Sequence, residues 1–399
     1  MTARPAVVVL VPIQPSSTGN GLAMRADLLV QAAAQHHDVH LVVVPVAGRP
    51  PIVRPSIRPA TSLEVALSPP GDRRVVVDWL RDPGWRDALS ELTPLLPAVA
   101  AAPPLRVADE VLAHLGARPV AGVLVARLSI ALPGVALAQR LGVPLVVDAD
   151  DDDEGLHRAR GAGRLADRWG VVARRAFAAA SVVLAASPGD AEVLGRRHDR
   201  RVDTLPNAVA VPVAALPPST RPATDPRRVL VVGNLGYGPN IDGVRWLVHE
   251  VLPRLPATVE LHLVGPAAPP VKALAEARVV VHGAVDDLDP HYAGADVVAV
   301  PVRHGSGTRI KLLEAFARGR PVVSTTLGAA GLEVVDGRDV VLADDPDAFA
   351  EGLLRALDPA TGAALVEGAR ALVARAYDAQ VVLQGAGRLL LEAFAPPAP

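Results

Sequence analysis

Short runs of Val, Leu and Ala, each followed by a turn and an amphipathic stretch, recur along most of the chain. Apolar runs bounded by turns predict buried strands, and stretches of helical period between them predict crossover helices. In the first half the runs predict strands at 6–11, 39–45, 120–126, 144–148, 181–185 and 202–205, with helices at 22–35, 133–141 and 165–180. Residues 46–105 carry repeated prolines and no clear period, and read as loops and short elements. Residues 209–226 (VAVPVAALPPSTRPATDP) contain five prolines without periodicity and read as an extended linker. The rhythm then restarts, with strands predicted at 229–233, 259–264, 278–282, 296–301 and 321–324. Helices are predicted at 241–254, 269–277, 288–293, 308–318, 345–357, 360–377 and 378–394. Two successive series of this kind predict an α/β chain of two doubly wound, Rossmann-like domains.

The length of 399 residues suits two such domains. Forty Lys and Arg against 42 Asp and Glu give a formal net charge of −2, so no basic excess draws the chain to nucleic acid. The basic residues are lopsided: Lys272 and Lys311 are the only lysines and the other 38 are Arg. Cysteine is absent, which excludes disulfides, iron–sulfur clusters, thiolate zinc sites and thiol catalysis. The apolar run 7–11 is far shorter than the ~20 residues of a membrane span, and no signal-peptide pattern precedes it. Cytoplasmic residence without an integral membrane segment is therefore expected, with peripheral membrane association left open.

Two glycine turns carry candidate chemistry. The first strand leads through Ser17-Thr-Gly19-Asn20-Gly21 into a helix, a geometry that aims backbone N–H groups at an anion. Met24 stands where a dinucleotide fingerprint needs its third glycine, and no acid ends the second strand, which disfavours NAD. A tight turn without a ligand remains the alternative. The second turn lies in 301–324 (PVRHGSGTRIKLLEAFARGRPVVS), which reads strand, glycine loop, helix, stop, strand. Ile310, Leu313 and Ala317 form the buried stripe of that helix, while Thr308, Lys311 and Glu314 follow one another at i, i+3 on a polar face. Backbone N–H groups of Gly305, Ser306, Gly307 and Thr308, with Arg309 and Lys311, suit a diphosphate, and Glu314 one turn deeper suits the vicinal hydroxyls of a ribose. The bland alternative is a surface ion pair between Lys311 and Glu314, worth about 0.2–0.5 kcal/mol. Lysine scarcity weighs against it, because a compact flexible point charge suits phosphate where Arg is otherwise the rule.

Residues 305–334 (GSGTRIKLLEAFARGRPVVSTTLGAAGLEV) resemble the donor-site signature of family-4 glycosyltransferases, the retaining GT-B enzymes of the glycosyl transferases group 1 family. Residues 229–246 (VLVVGNLGYGPNIDGVRW) look like the opening of that family's donor domain, 205–209 (LPNAV) like its approach to the linker, and 19–25 like its first acceptor-domain loop. The resemblance implies an acceptor domain at 1–208, a linker at 209–226, a donor domain at 227–375 and a crossover helix with tail at 376–399, the two domains facing a central cleft. It implies transfer of a sugar from a nucleotide diphosphate sugar to an acceptor hydroxyl with retention, needing neither metal nor cofactor beyond that co-substrate. In that scheme Glu314 holds ribose, Arg309 and Lys311 neutralise diphosphate, Gly19, Asn20 and Gly21 approach it, His282 and Gly283 border the nucleobase, and His304 borders the loop. Rivals are another sugar-nucleotide enzyme, such as an epimerase or phosphorylase, and a sugar-nucleotide-binding subunit without activity. The acceptor, whether glycan, lipid-linked or a small natural product, is open, as is the oligomeric state.

Three departures from the pattern stand out. Ser306 occupies the place of the outer of two glutamates eight residues apart. Asn234, Tyr237 and Asn240 stand where many members carry Arg and Lys after the first donor strand. The strand at 120–126 ends in Arg127 where a histidine is common, so Arg127 is the candidate replacement. Beside it, Asp148 to Glu154 places six acids among seven residues, without the interleaved glycine of a calcium loop. With Arg25, Arg127, Asp150 and Asp151 as candidates, an acceptor-facing acidic loop and a solvated loop are the competing readings, and no metal site is expected.

Overall fold

Among the described residues, the Val-rich runs read as strands become parallel strands, because a sheet covered on both faces can bury such runs entirely. The computed structural model describes residues 4–17, 21–47, 56–65, 102–211, 216, 225–305 and 310–395. The chain divides into two compact units, Met1–Pro206 together with Val382–Pro399, and Asn207–Val381.

In the first unit β1 (Ala6–Val11), β2 (Asp38–Val43), β3 (Thr61–Glu64), β4 (Gly122–Ala126), β5 (Leu145–Asp150), β6 (Val182–Ala185) and β7 (Asp203–Thr204) form one parallel sheet in the order β3-β2-β1-β4-β5-β6-β7. The helices between them are α1 (Gly21–Ala34), α2 (Pro104–Leu115), α3 (Ala131–Leu141), α4 (Asp153–Ala159), α5 (Gly163–Ala179) and α6 (Pro188–His198). Strand order reverses between β1 and β4, so their carboxyl ends flank a switch point of the kind where doubly wound sheets bind ligands.

The second unit repeats the plan. Strands β8 (Arg227–Val232), β9 (Val259–Val264), β10 (Val279–Gly283), β11 (Val297–Val300), β12 (Val322–Ser324) and β13 (Val341–Leu342) pair in the order β10-β9-β8-β11-β12-β13, all parallel, with the reversal between β8 and β11. Its helices are α7 (Gly238–Trp246), α8 (Pro269–Lys272), α9 (Asp289–Ala293), α10 (Ile310–Ala317), α11 (Pro346–Leu357) and α12 (Pro359–Leu372).

Proline, abundant in this chain, starts helices here. Ser187, Asp345 and Asp358 cap α6, α11 and α12 by accepting the N–H three residues on, and Pro188, Pro346 and Pro359 follow as the first helical residue. A proline loses nothing there, since that N–H has no intrahelical partner.

Several expectations need correction. The segment 46–105, expected to hold loops and short elements, does hold a short one in its described part, the four-residue β3 in register with β2, but the three-turn helix α2 that begins at its end was not expected. Its prolines concealed that helix, Pro104 being a helix starter. The helix expected over 269–277 stops at Lys272, after which Leu274 and Ala275 close three-residue turns and Glu276 pairs with Val279. The expected helix 241–254 begins earlier, at Gly238 with Pro239 in its first turn, and ends in a wide turn over Leu247–Val251 and a tight one over Leu252–Arg254.

The last helix, α13 (Ala379–Ala393), belongs to the first unit from Val382 on. A methyl group at Gly122, which opens β4, would overlap the ring of Phe394, and one at Gly387 would overlap Gln35 of the α1 end. Phe394 is 4% exposed and meets His37 edge-on, ring centroids 5.6 Å apart. Replacing a buried Phe by Ala costs about 3–5 kcal/mol. Phe394→Ala is therefore expected to lower the denaturation midpoint of the first unit and to accelerate exchange of the α13 amides. Unchanged exchange there, measured by mass spectrometry, would contradict this docking.

Candidate functional site

In the second unit the site is built from the ends of β8 and β11. The chain leaves β8 through Gly233, whose N–H donates to the Val264 carbonyl (3.0 Å). Asn234 then makes a local turn, its Oδ1 accepting the Gly236 N–H at 3.0 Å, and Tyr237 leads into α7. From the end of β11 the chain runs through Pro301 to Gly305, and α10 begins at Ile310. Gly243 of α7 lies so close to the Pro301 carbonyl that a side chain there would overlap it, which sets how near the two segments come. A narrow crevice at this reversal is lined by Val231, Leu235, Asn240, Gly243, Pro301 and Lys311.

Lys311 and Glu314 lie on α10 as its period requires, with Leu313 and Ala317 of the opposite stripe fully buried. The Lys311 ammonium donates to Asn240 Oδ1 at 2.8 Å, while Asn240 Nδ2 donates to the Asn234 carbonyl at 2.8 Å. Glu314 is half-buried, and burial pushes its carboxyl up, against the pull of Arg318 and Lys311. Arg318 is fixed by Asp289 (Nε to Oδ1, 2.7 Å) and lies over the ring of the buried Tyr292, 4.8 Å from its centroid. Burial and then Glu314 hold the Tyr292 phenol well above its usual range. Neither Arg318 nor Tyr292 was singled out from sequence, and the only signal was Arg318 at i+4 from Glu314.

The other expected donor residues are placed as follows. His304 Nδ1 lies 3.5 Å from Asp242, which also meets Arg303 at 3.7 Å. Gly305 has φ +114° and abuts Pro239. Gly283 has φ +75° and its carbonyl accepts the Gly265 N–H (2.8 Å), while His282 Nε2 and His262 Nδ1 share one hydrogen bond at 3.0 Å. Gly21 is the first residue of α1, where Ser16 N–H turns back to the Ala23 carbonyl (3.1 Å). Gly19, Asn20, Ser306, Gly307, Thr308 and Arg309 lie outside the described residues.

Beside the switch point of the first unit the acidic run ends β5, crosses a two-residue connection and opens α4, and its burial overturns the solvated-loop reading from sequence. Asp148 and Asp150 end β5, Asp152 caps α4 by accepting the Gly155 N–H (2.9 Å), and Asp153 and Glu154 form its first turn. Asp148, Asp150, Asp151, Asp153 and Glu154 are all buried. Arginines make this possible. Arg25 of α1, 2% exposed, grips Asp148 with two bonds of 2.8 and 2.6 Å, meets Asp150 at 3.2 Å and donates to the Leu205 carbonyl. Burial opposes its charge, and Asp148 and Asp150 more than offset that, leaving the guanidinium above its usual range. Arg127, in the left-handed region at φ 76°, pairs with Asp150 (2.9 Å), Asp151 (2.8 Å) and Asp153 (3.3 Å). Asp150 shares that strained conformation at φ 65°. Neither residue has glycine's freedom there, and such strain persists where surrounding contacts over-determine it. Among the described residues, no group of three or more His, Asp or Glu is arranged to hold a metal ion.

Burial, reinforced by Asp150, pushes the Asp151 carboxyl up, and burial pushes Asp153 up to about 6 against the pull of Arg127. A carboxyl whose folded pKa lies above its unfolded value binds more protons in the folded state, so its stabilising effect is full below about pH 4 and fades as pH rises through about 6. Asp153→Asn is thus expected to gain on the wild type between pH 4 and 7, by on the order of 1–3 kcal/mol, and to match it in acid. A melting difference independent of pH would contradict the assignment.

Residues 226–359 match the family described as Glycosyl transferases group 1. Across 98% of its length the chain is similar to sucrose-phosphate synthase from Thermosynechococcus elongatus (99% of that chain, 20% identity, TM-score 0.71). It is similar to Anabaena HepE, solved with UDP (97% and 100% covered, 15% identity, TM-score 0.66) and with UDP-glucose (97% and 99%, 15%, 0.62). A curated relative, an uncharacterised 44.6 kDa protein of the Klebsiella pneumoniae cps region, is 27% identical over 139 residues, 32% of this chain. That match spans only 36% of the relative's length. Among the described residues no helix is long and apolar enough to cross a membrane. The chain thus has the GT-B fold, and its residues 226–359 are those that match glycosyl transferases group 1.

Proposed function

We propose that the chain is a glycosyltransferase that moves a sugar from a nucleotide diphosphate sugar to an acceptor hydroxyl with retention of anomeric configuration. The observation that carries this reading is the placement of Lys311 and Glu314 one helical turn apart on α10, the ammonium beside the Gly233 turn at the β8/β11 reversal. The family match over the same residues supports it, and HepE, of like fold, was solved with UDP-glucose.

Departure of a nucleoside diphosphate builds negative charge on a phosphate oxygen, and stabilising that charge is the main demand on the site. Lys311, together with Arg309 and the backbone N–H groups of residues 305–308, meets it in this scheme. Among the described residues no side chain donates a hydrogen bond to the Glu314 carboxylate, which suits it to accept from two vicinal ribose hydroxyls. His282 and Gly283, at the end of β10, border the nucleobase, and Asn234, His304 and Gly305 border the phosphates and sugar. No cofactor beyond the co-substrate enters the scheme. On the first unit, Arg127, Asp150 and Asp151 form the acceptor side in this scheme. Arg25, buried and gripped by Asp148, acts there by holding β5 in place.

Charge-assisted hydrogen bonds contribute about 1.5–3 kcal/mol, so Lys311→Ala and Glu314→Ala are each expected to weaken nucleoside diphosphate binding by roughly 10- to 100-fold. Titration calorimetry checks this, and unchanged affinity in both variants would overturn the site. Proton NMR of the anomeric coupling in the product tests retention.

A further inference from the structure

Many members of the family that the sequence resembles carry Arg and Lys just after the first donor strand, whereas this chain has Asn234 and Asn240. The two asparagines form an ordered chain that ends on Lys311. Asn234 is held by the Gly236 N–H on its Oδ1 (3.0 Å), its carbonyl accepts Asn240 Nδ2 (2.8 Å), and Asn240 Oδ1 accepts the Lys311 ammonium (2.8 Å). Each link fixes the next: with Nδ2 committed to a carbonyl, the amide of Asn240 has only its oxygen to turn towards Lys311.

We infer that Asn240 is a positioning residue that orients the Lys311 ammonium for a diphosphate while leaving its charge intact. This rests on the donor-site reading above. A lysine side chain has about 2 kcal/mol of rotamer entropy to lose, so a free ammonium would contribute less on binding than one already held. The holder must not be an acid, because a carboxylate at 2.8 Å would neutralise the charge meant for phosphate, whereas an amide oxygen orients without neutralising. At the edge of the first unit two arginines are held by carboxylates: Arg25 by Asp148 and Asp150, and Arg127 by Asp150, Asp151 and Asp153. Lys311 donates instead to an amide oxygen, with the Glu314 carboxyl one helical turn away. Gly233 completes the arrangement, since a Cβ there would stand 3.3 Å from Asn240 Nδ2 and 3.5 Å from Lys311 Nζ, on a backbone with φ +155°.

The test compares nucleoside with nucleoside diphosphate. Uridine, guanosine, adenosine, cytidine and thymidine and their diphosphates are titrated calorimetrically into the full chain, and the tightest diphosphate is carried forward. Lys311→Ala must lose diphosphate affinity and keep nucleoside affinity; if it does not, the donor-site reading itself fails. Given that loss, Asn240→Ala is expected to weaken the diphosphate about 5- to 20-fold with the nucleoside unchanged, and to add nothing in the Lys311→Ala background. Asn240→Asp, nearly isosteric, is expected to weaken the diphosphate at least as much at pH 8 and to recover towards pH 4 as the new carboxyl protonates. Asn240 variants that weaken nucleoside and diphosphate alike, or effects of Asn240 and Lys311 that simply add, would overturn the positioning role. So would Asn240→Asp binding the diphosphate as the wild type does at pH 8.

Discussion

A parallel sheet delivers the carboxyl end of every strand to a single edge, and the helices that follow begin at that same edge. Both units are wholly parallel, so both concentrate their chemistry there. Arg127, Asp150, Gly233 and Gly305, all with positive φ, lie at or just beyond strand ends. The backbone is bent at these points because each turn must feed a helix while leaving room for charge. Where strand order reverses, adjacent connections run to opposite faces of the sheet, and the gap that results is lined by what the two strand ends happen to carry. Beside that gap in one unit Arg25 of α1 and Arg127 after β4 close on the carboxylates of β5 and α4, and in the other Lys311 of α10 faces the amide of Asn240 in α7.

The two solutions differ in what they do with charge. Buried carboxylates are tolerable only if paired and hydrogen-bonded, and the planar fork of Arg can satisfy two oxygens of one acid at once. Arg25 does so with Asp148, tying α1 to β5 across 123 residues of sequence. Arg127 spreads over three acids, and two of them, Asp151 and Asp153, are still displaced upward by burial. That displacement is a residual cost of burying carboxylates which the pairing with Arg127 does not remove. At α10 the arrangement differs: the Lys311 ammonium donates to a neutral amide oxygen, and Glu314 one turn on accepts no hydrogen bond from a side chain among the described residues.

Local pattern made most of this legible. Val-rich runs located the strands, helical period located α1, α10 and α11, and the spacing of Lys311 and Glu314 placed them on one face. What escaped was set by distance or by ambiguous residues. β3 has a single apolar residue among four (TSLE) and is held by pairing with β2, and Pro104 lies at the end of a stretch read as loops and short elements although it begins α2. The acidic run left an acceptor-facing loop and a solvated loop both open, because the arginines that neutralise it come from α1, the end of β4 and α6, the last through Arg197 on Asp152. Asn240 stood out only as a departure from the family pattern, and its bond to Lys311 was hidden because that partner lies 71 residues on.

All of the chemistry assigned to the second unit depends on one claim, that its strand-end edge receives a nucleotide diphosphate sugar. Thermal denaturation of the full chain with a series of nucleotide sugars tests it most directly, because a ligand at 100 times its dissociation constant stabilises by about 2.7 kcal/mol. Sugar transfer predicts that at least one nucleotide sugar raises the midpoint saturably while its nucleoside alone raises it far less. A series in which no nucleotide sugar shifts the midpoint would contradict the claim.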